Sequence, residues 1–98
     1  MAIIINELLL QTFRDFPRCE WCGVEGRGTL QPHHVICRGM GSGSRLDIPE
    51  NLFAVCWKDH DLIGRGKITY WQIIPIVAKR CGKGVDELRE YVFELLRS

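Results

Sequence analysis

The sequence has almost no net charge and no uninterrupted apolar run long enough to cross a membrane. Its 13 Lys and Arg residues nearly balance its 12 Asp and Glu residues, so the total charge gives no indication of a partner. The apolar stretch over residues 2–10 is interrupted by Asn6 and Glu7, and no basic segment precedes it. This pattern argues against a signal peptide or a membrane span, so we expect a cytoplasmic protein with no membrane partner.

Internal repeats and low-complexity tracts are also absent. Hydrophobic residues make up 46% of the chain and charged residues 26%, which excludes a disordered tail, a collagen-like repeat and a coiled-coil rod. The length predicts one domain over residues 1–98, without room for a second catalytic module. A domain of this size buries only about 60–68% of its unfolded surface, so an additional staple would not be surprising.

The five cysteines are an odd number, which argues against a complete set of disulfide bonds. In the reducing compartment expected here, paired cysteines more often hold a metal ion. Cys19 and Cys22 form a CxxC pair, a spacing that lets two thiolates approach one ion from a single turn. Further soft ligands downstream favour zinc over a reactive redox pair, which stays the alternative interpretation.

Positive charge is concentrated in the middle of the chain. Residues 26–80 contain eight Lys or Arg against four Asp or Glu, whereas both flanking segments are net acidic. Such clustering is what attraction to phosphate groups requires, although an ordinary solvated face can have the same composition.

Hydrophobic spacing and breaker residues predict an α+β protein. Asn6 is the predicted N-cap of a first helix near residues 7–15. A short strand is predicted over residues 29–36, with Pro32 at an edge or a bulge. The Gly- and Ser-rich residues 38–49 are predicted to form a loop.

The second half of the chain is predicted to be mostly helical. A brief strand over residues 51–55 leads into a helix over residues 56–64. Thr69 and Gln72 predict a capping box for the next helix, in which Pro75 either introduces a kink or begins the second half. The last helix has apolar residues at helical spacing: Leu88, Tyr91, Val92, Leu95 and Leu96.

The helix that begins at Cys56 offers two candidate ligands one turn later. At about 100° per residue, Asp59 lies about 60° to one side of Cys56 and His60 about 40° to the other. The two side chains therefore point away from each other. One of them can complete a zinc site with Cys56 while the other faces a different cavity.

The adjacent histidines His33 and His34 lie near the end of the first predicted strand. Because side chains alternate along a strand, the two imidazoles are expected on opposite sides. A hairpin followed by a helix would bring these histidines close to Asn51 and His60.

These motifs together resemble the HNH endonucleases, the ββα-metal or His-metal finger nucleases. The resemblance covers residues 19–66 through CEWCG, HHVICRGMGSGSRLDIPENLFAVC and CWKDH, and it is greatest to the small phage and prophage proteins. It implies an α+β fold with a ββα-metal hairpin-plus-helix unit, a zinc knuckle, one N-terminal helix and two C-terminal helices.

The resemblance also implies a role for each motif residue. His34 resembles the general base, His33 and His60 resemble the ligands of a catalytic divalent ion (Mg²⁺, Mn²⁺, Ni²⁺ or Zn²⁺), and Asn51 resembles the residue that braces the loop and helps orient the base. The ligands of a structural Zn²⁺ would be Cys19, Cys22, Cys56 and Asp59.

Asp59 is the one departure from the family pattern, which has a cysteine at this position. A carboxylate oxygen can bind zinc, so Asp59 is the first candidate for the fourth ligand. The alternatives are Cys37, His60, and cysteines that pack without any ion.

The function implied is metal-dependent hydrolysis of phosphodiester bonds in double-stranded DNA, by nicking or double-strand cleavage. Five basic residues are candidates for contacts to the DNA backbone, with a solvated rim as the alternative: Arg38, Arg45, Lys58, Arg65 and Lys67. Backbone contacts carry little sequence information, so weak sequence preference is expected. The competing interpretation is a non-catalytic zinc-stapled module that binds DNA or a protein, for example in phage DNA packaging or recombination.

Overall fold

The computed structural model describes residues 3–36 and 45–97. Among these residues the chain has an α+β fold, as predicted, with four α-helices and two small sheets. The elements in chain order are β1 (Ile3–Ile4), α1 (Glu7–Arg14), β2 (Gln31–His34), β3 (Arg45–Leu46), a 3₁₀ turn (Pro49–Asn51), β4 (Leu52–Val55), α2 (Trp57–Gly64), α3 (Tyr70–Arg80) and α4 (Val85–Arg97).

The first helix begins where its capping residue predicts. The Asn6 side chain accepts a hydrogen bond from the Leu9 backbone N–H at 3.0 Å, which satisfies one of the unpaired donors at the helix start. Leu10 and Phe13 are the buried residues of this helix. Their spacing of three residues places them on one face, so α1 packs on the core through a single stripe.

Strands β2 and β4 form an antiparallel pair that leads directly into α2. The register places His33 opposite Phe53 and His34 opposite Leu52. Pro32 lies within β2, in a sheet that has two strands in the described part of the chain, so it lies in an edge strand as expected. All four residues of β4 are fully buried, and this strand lies at the centre of the main core.

The prediction of a loop over residues 38–49 lies outside the described residues as far as position 44, and it is wrong at Arg45–Leu46. These two residues form strand β3, which pairs in parallel with Ile3–Ile4 near the start of the chain. The Asp47 N–H also donates to the Ile4 carbonyl at 2.8 Å. A pair of two-residue strands has no periodicity that a sequence pattern could reveal.

The two C-terminal helices are present as predicted. The expected capping box is present at the start of α3, where the Thr69 N–H donates to the Gln72 side chain at 2.8 Å. Pro75 lies inside α3, which continues to Arg80. The buried residues of α4 are Leu88, Val92 and Leu96, whereas Tyr91 is exposed. None of the described helices has the length and apolar character that a bilayer span needs.

Candidate functional site

The CxxC segment forms a tight turn held by its own backbone. The Cys19 N–H donates to the Val24 carbonyl at 2.9 Å, and the Gly23 N–H donates to the Cys19 carbonyl at 3.0 Å. Gly23 has a φ of +79°, a left-handed conformation that glycine adopts without steric penalty. The N–H groups of Trp21 and Cys22 lie 3.4 and 3.5 Å from the Cys19 Sγ. The turn therefore points polar N–H groups at a sulfur atom.

Cys56 and Asp59 bring the start of α2 to this turn. One ligand atom from each of four residues lies within 4.8 Å of all the others: Cys19, Cys22, Cys56 and Asp59. The Cys19 Sγ is 3.2 Å from the Asp59 Oδ2, and the Sγ atoms of Cys22 and Cys56 are 3.9 Å apart. Zinc–ligand distances of about 2.0–2.3 Å imply separations of roughly 3.5–3.8 Å in a tetrahedron. Three thiols and one carboxylate thus fit a tetrahedral ion, and the cluster could hold a metal.

The hypothesis that Asp59 is the fourth ligand is consistent with this geometry, because its carboxylate lies beside the three thiols. His60 is not part of the cluster. Cys37, the other alternative, lies outside the described residues. Across residues 3–36 and 45–97, no other group of three or more His, Cys, Asp or Glu side chains comes as close together.

The protonation of the cluster is set by its own members. The hydrogen bond to Asp59, followed by smaller effects of its surroundings, raises the pKa of Cys22 to about 12. Burial pushes the pKa of Asp59 up, but the hydrogen bonds from the three thiols outweigh it and hold this pKa below its ordinary value. Without an ion the Cys22 thiol is therefore protonated, and an ion that binds its thiolate must displace that proton.

Glu20 and Arg80 fasten the CxxC turn to the core. The Glu20 N–H donates to the Ala54 carbonyl at 2.8 Å, and the Glu20 side chain accepts from the Ala54 N–H at 2.9 Å. The other Glu20 carboxylate oxygen accepts from the Arg80 Nε at 2.8 Å. The Arg80 guanidinium in turn donates to the Leu52 carbonyl. The cluster is therefore rigidly placed relative to β4.

His33 faces α2, where it meets His60. The two rings lie edge to face at 76°, with their centroids 5.6 Å apart. Two imidazoles that share one ion through nitrogens about 2.0–2.1 Å from it have centroids roughly 5–6 Å apart. His33 and His60 are thus close enough to approach one ion.

The environment of His33 favours the neutral imidazole. Burial, followed by the neighbouring His60 and His34, lowers the pKa of His33 to about 4. Near neutral pH a proton therefore does not compete with a metal ion for the nitrogen lone pair of His33.

His34 points to the opposite side of the strand, as the alternation predicts. Its Nε2 lies 2.7 Å from the Oδ1 of Asp47, and 26% of its side chain is exposed. The Asp47 side chain is fully buried. The two neighbouring histidines therefore have different partners: His33 meets a second imidazole, and His34 meets a carboxylate.

Asp47 is the site residue that sequence reasoning missed. The sequence predicts a loop at this position, and the only local signal of Asp47 is that it is a lone acid between two apolar residues, in the run Leu46-Asp47-Ile48. Arg45, two residues earlier, is one of its partners, but His34 and Asn6 are 13 and 41 residues away along the chain, so no local pattern could identify these two contacts.

Asn51 holds together the two ends of the segment between β2 and β3. Its Oδ1 accepts from the Ile36 N–H at 2.7 Å, and its Nδ2 donates to the Leu46 carbonyl at 3.1 Å. Its own carbonyl accepts from the Val35 N–H at 2.9 Å. Asn51 is fully buried. These contacts hold in place the chain that follows His34.

The five basic residues proposed to contact DNA have different environments. Arg38 lies outside the described residues. Arg45 donates to Asp47 and Glu7, and Arg65 pairs with Asp61 at 2.9 Å, so both guanidinium groups already have carboxylate partners. Lys58 and Lys67 are exposed.

In comparisons with known proteins, no family model, curated protein or solved structure matches this chain. The resemblance to HNH endonucleases therefore rests on its motifs and stays a prediction.

Proposed function

We propose that this protein is a metal-dependent DNA endonuclease of the HNH type. The observation that carries the proposal is that His33 and His34 point in different directions. His33 contacts His60, and His34 contacts Asp47. This separation provides a metal-binding pair and a distinct base in one small region. Under this proposal β2, β4 and α2 are the ββα-metal unit.

His33 and His60 would hold the catalytic divalent ion, which supplies positive charge to the scissile phosphate and to the departing oxygen. His34 would take a proton from the attacking water. General-base assistance of this kind is worth about 10² to 10⁴ in rate. His34 must not bind the same ion, because one nitrogen lone pair cannot both bind a metal ion and accept a proton from water. The expected products carry 5′ phosphate and 3′ hydroxyl ends.

The cluster of Cys19, Cys22, Cys56 and Asp59 would hold a structural Zn²⁺. Asp59 and His60 are consecutive residues of α2, so an ion that fixes Asp59 also restricts the rotation of α2 about its axis. The His60 ring is then held toward His33. The structural ion would act on the reaction only in this indirect way.

The substrate would be double-stranded DNA gripped through its phosphates. Lys58 and Lys67 are exposed, on and just beyond α2, and Arg65 lies between them in sequence. Contacts from such side chains position a duplex without reading its bases, so little sequence preference is expected. Phage DNA packaging or recombination would be suitable settings for this activity.

The proposal is tested by nicking of supercoiled plasmid in Mg²⁺, Mn²⁺, Ni²⁺ or Zn²⁺. We expect the wild type to nick, and His34→Ala and His60→Ala to lose about 100-fold or more in rate. Asp61→Asn is the matched control, because Asp61 is the exposed neighbour of His60 and its side chain pairs with Arg65 at 2.9 Å. Absence of nicking by the wild type, or equal nicking by His34→Ala, would refute the proposal.

The competing proposal is a zinc-stapled binding module without catalysis. It is favoured by one observation: the four-residue cluster is the only group of its size in the described chain, whereas the second site offers two imidazoles. Metal titration separates the two proposals. The nuclease requires one tight zinc site and a second, weaker site that His60→Ala removes, and the binding module requires only the first.

A further inference from the structure

Asp47 has an unusually complete set of hydrogen-bond partners for a buried carboxylate. Its Oδ1 accepts from the Arg45 Nε at 3.0 Å and lies 2.7 Å from the His34 Nε2. Its Oδ2 accepts from a guanidinium nitrogen of Arg45 at 2.9 Å and from the Asn6 N–H at 2.8 Å. A carboxylate offers about four acceptor positions, and all are used here. Asp47 therefore has no oxygen left over for a metal ion.

The carboxylate of Asp47 is ionised. Burial pushes its pKa up, but the hydrogen bonds from Arg45, the Asn6 N–H and His34 outweigh burial and hold the pKa below its ordinary value. The bidentate guanidinium of Arg45 also balances the negative charge inside the protein.

An ionised carboxylate can accept hydrogen bonds but cannot donate them. The 2.7 Å contact therefore requires a proton on the Nε2 of His34. In a neutral imidazole the second nitrogen, Nδ1, then carries the lone pair. A general base accepts a proton through this lone pair, and it works best when the imidazole is held so that the lone pair points in one fixed direction.

We infer that Asp47 is a positioning residue for the base of the nuclease: its carboxylate holds His34 in the tautomer that carries its proton on Nε2 and its lone pair on Nδ1. The inference rests on the proposed function for its effect on catalysis. Its effect on the tautomer is a property of the folded protein and is independent of any substrate.

The same carboxylate explains why the start of the chain lies beside β3. Asn6 contributes its backbone N–H to Asp47 and its side chain to the cap of α1, and the Ile4 carbonyl accepts from the Asp47 N–H. The segment before α1 therefore supports the carboxylate from behind while His34 meets its other oxygen. Strands β1 and β3 are the structural support of the base.

The experiment combines a tautomer measurement with kinetics. Long-range ¹H–¹⁵N correlation spectra of the imidazoles, recorded at about pH 8 so that unperturbed histidines are neutral, distinguish a proton on Nε2 from one on Nδ1. Asp47→Asn keeps the shape of the side chain but replaces one acceptor by a donor, so it no longer dictates the tautomer. Glu7→Gln is the matched control, because Glu7 also accepts from Arg45, at 3.3 Å, but lies on the exposed side of that guanidinium.

We expect wild-type His34 to be protonated on Nε2, Glu7→Gln to be the same, and Asp47→Asn to show a mixture of tautomers. We expect Asp47→Asn to lower kcat for plasmid nicking about 100-fold, with the KM for DNA and the Mn²⁺ affinity unchanged. A purely structural role would instead lower the melting temperature and leave the tautomer and kcat of the folded fraction unaltered.

Two results would overturn the inference: a wild-type His34 protonated on Nδ1, or an Asp47→Asn variant with unaltered tautomer and kcat. The first is read from the wild type alone, so it decides the matter even if Asp47→Asn does not fold. If the wild type shows the Nε2 proton but never nicks DNA, the proposed nuclease fails while the assignment of the tautomer to Asp47 is supported.

Discussion

Cys19 and Asp59 are 40 residues apart in the chain, yet the Cys19 sulfur lies 3.2 Å from a carboxylate oxygen of Asp59. This contact joins the CxxC turn to the first turn of α2. Both side chains are buried, so the carboxylate does not have the full solvation of a surface acid. An ion held by both residues would replace the proton that now lies between them.

We predict that Asp59 is a genuine ligand and that its chemistry sets the zinc affinity. Asp59→Ala should weaken Zn²⁺ binding about 10-fold or more, whereas Asp59→Cys should bind at least as tightly as the wild type, because a fourth thiolate suits zinc. Competition with a chromophoric chelator measures both affinities. Equal affinity in Asp59→Ala and wild type would show that the fourth ligand comes from elsewhere.

Removal of the metal should destabilise the fold. A ligand present at 100 times its Kd stabilises the native state by about 2.7 kcal/mol, so a strong chelator should lower the melting temperature by several degrees. Cys19→Ser should abolish this difference between chelated and metal-loaded protein. Cys81→Ser should preserve it, because Cys81 is a free cysteine outside the cluster. A chelator effect that survives Cys19→Ser would contradict the assignment.

The depressed pKa of His33 predicts an acid sensitivity in a defined window. The folded protein keeps His33 neutral down to about pH 4, whereas the unfolded chain binds a proton near the ordinary value of 6.5. The unfolded state therefore holds more protons between these values, and stability is lost as the pH falls from 6.5 toward 4. Because the ring is partly solvated, we expect this loss to be about 1–2 kcal/mol.

Urea unfolding at pH 7 and pH 5, in the presence of a chelator, measures this effect. His33→Gln should lose less stability than the wild type over this interval, since glutamine does not titrate. The pKa values of Asp47 and Asp59 are lowered from 3.8, so these carboxylates affect the pH dependence of stability only at lower pH and do not contribute to the change between pH 7 and pH 5. An identical loss in His33→Gln and wild type would refute the prediction.

Asn51 is expected to be the most sensitive polar residue for stability. Asn51→Ala removes the partners of the Ile36 N–H and the Leu46 carbonyl, and an unsatisfied buried polar group costs about 1–3 kcal/mol. We therefore expect a loss of about 2–4 kcal/mol in the free energy of unfolding. Gln11→Ala, at an exposed position of α1, is the control and should change stability by less than about 0.5 kcal/mol. A loss below 1 kcal/mol for Asn51→Ala would mean that water replaces its bonds.

Local patterns were sufficient for the parts of the site that depend on local geometry. The CxxC spacing fixed the turn at Cys19, and the helical angle between Asp59 and His60 separated their directions correctly. The alternation of a strand likewise separated His33 from His34. Each of these relationships spans at most four residues, so backbone geometry alone determines it.

Long-range relationships could not be predicted in the same way. The pairing of Ile3–Ile4 with Arg45–Leu46 and the contact of Asn6 with Asp47 join segments about 40 residues apart. The sequence predicts a loop at Arg45 and makes this residue a candidate for contact to the DNA backbone, with a solvated rim as the alternative. Its carboxylate partners become visible only when the start of the chain packs against β3.

In the proposed nuclease, His33 and His60 share a divalent ion that His34 does not bind. A crystal of the protein soaked in Mn²⁺, with anomalous diffraction to locate the ion, is the decisive experiment. We predict a peak within ligand distance of one nitrogen each of His33 and His60, with the Nε2 of His34 still hydrogen-bonded to Asp47. A peak on His34, or none between His33 and His60 at saturating Mn²⁺, would contradict it.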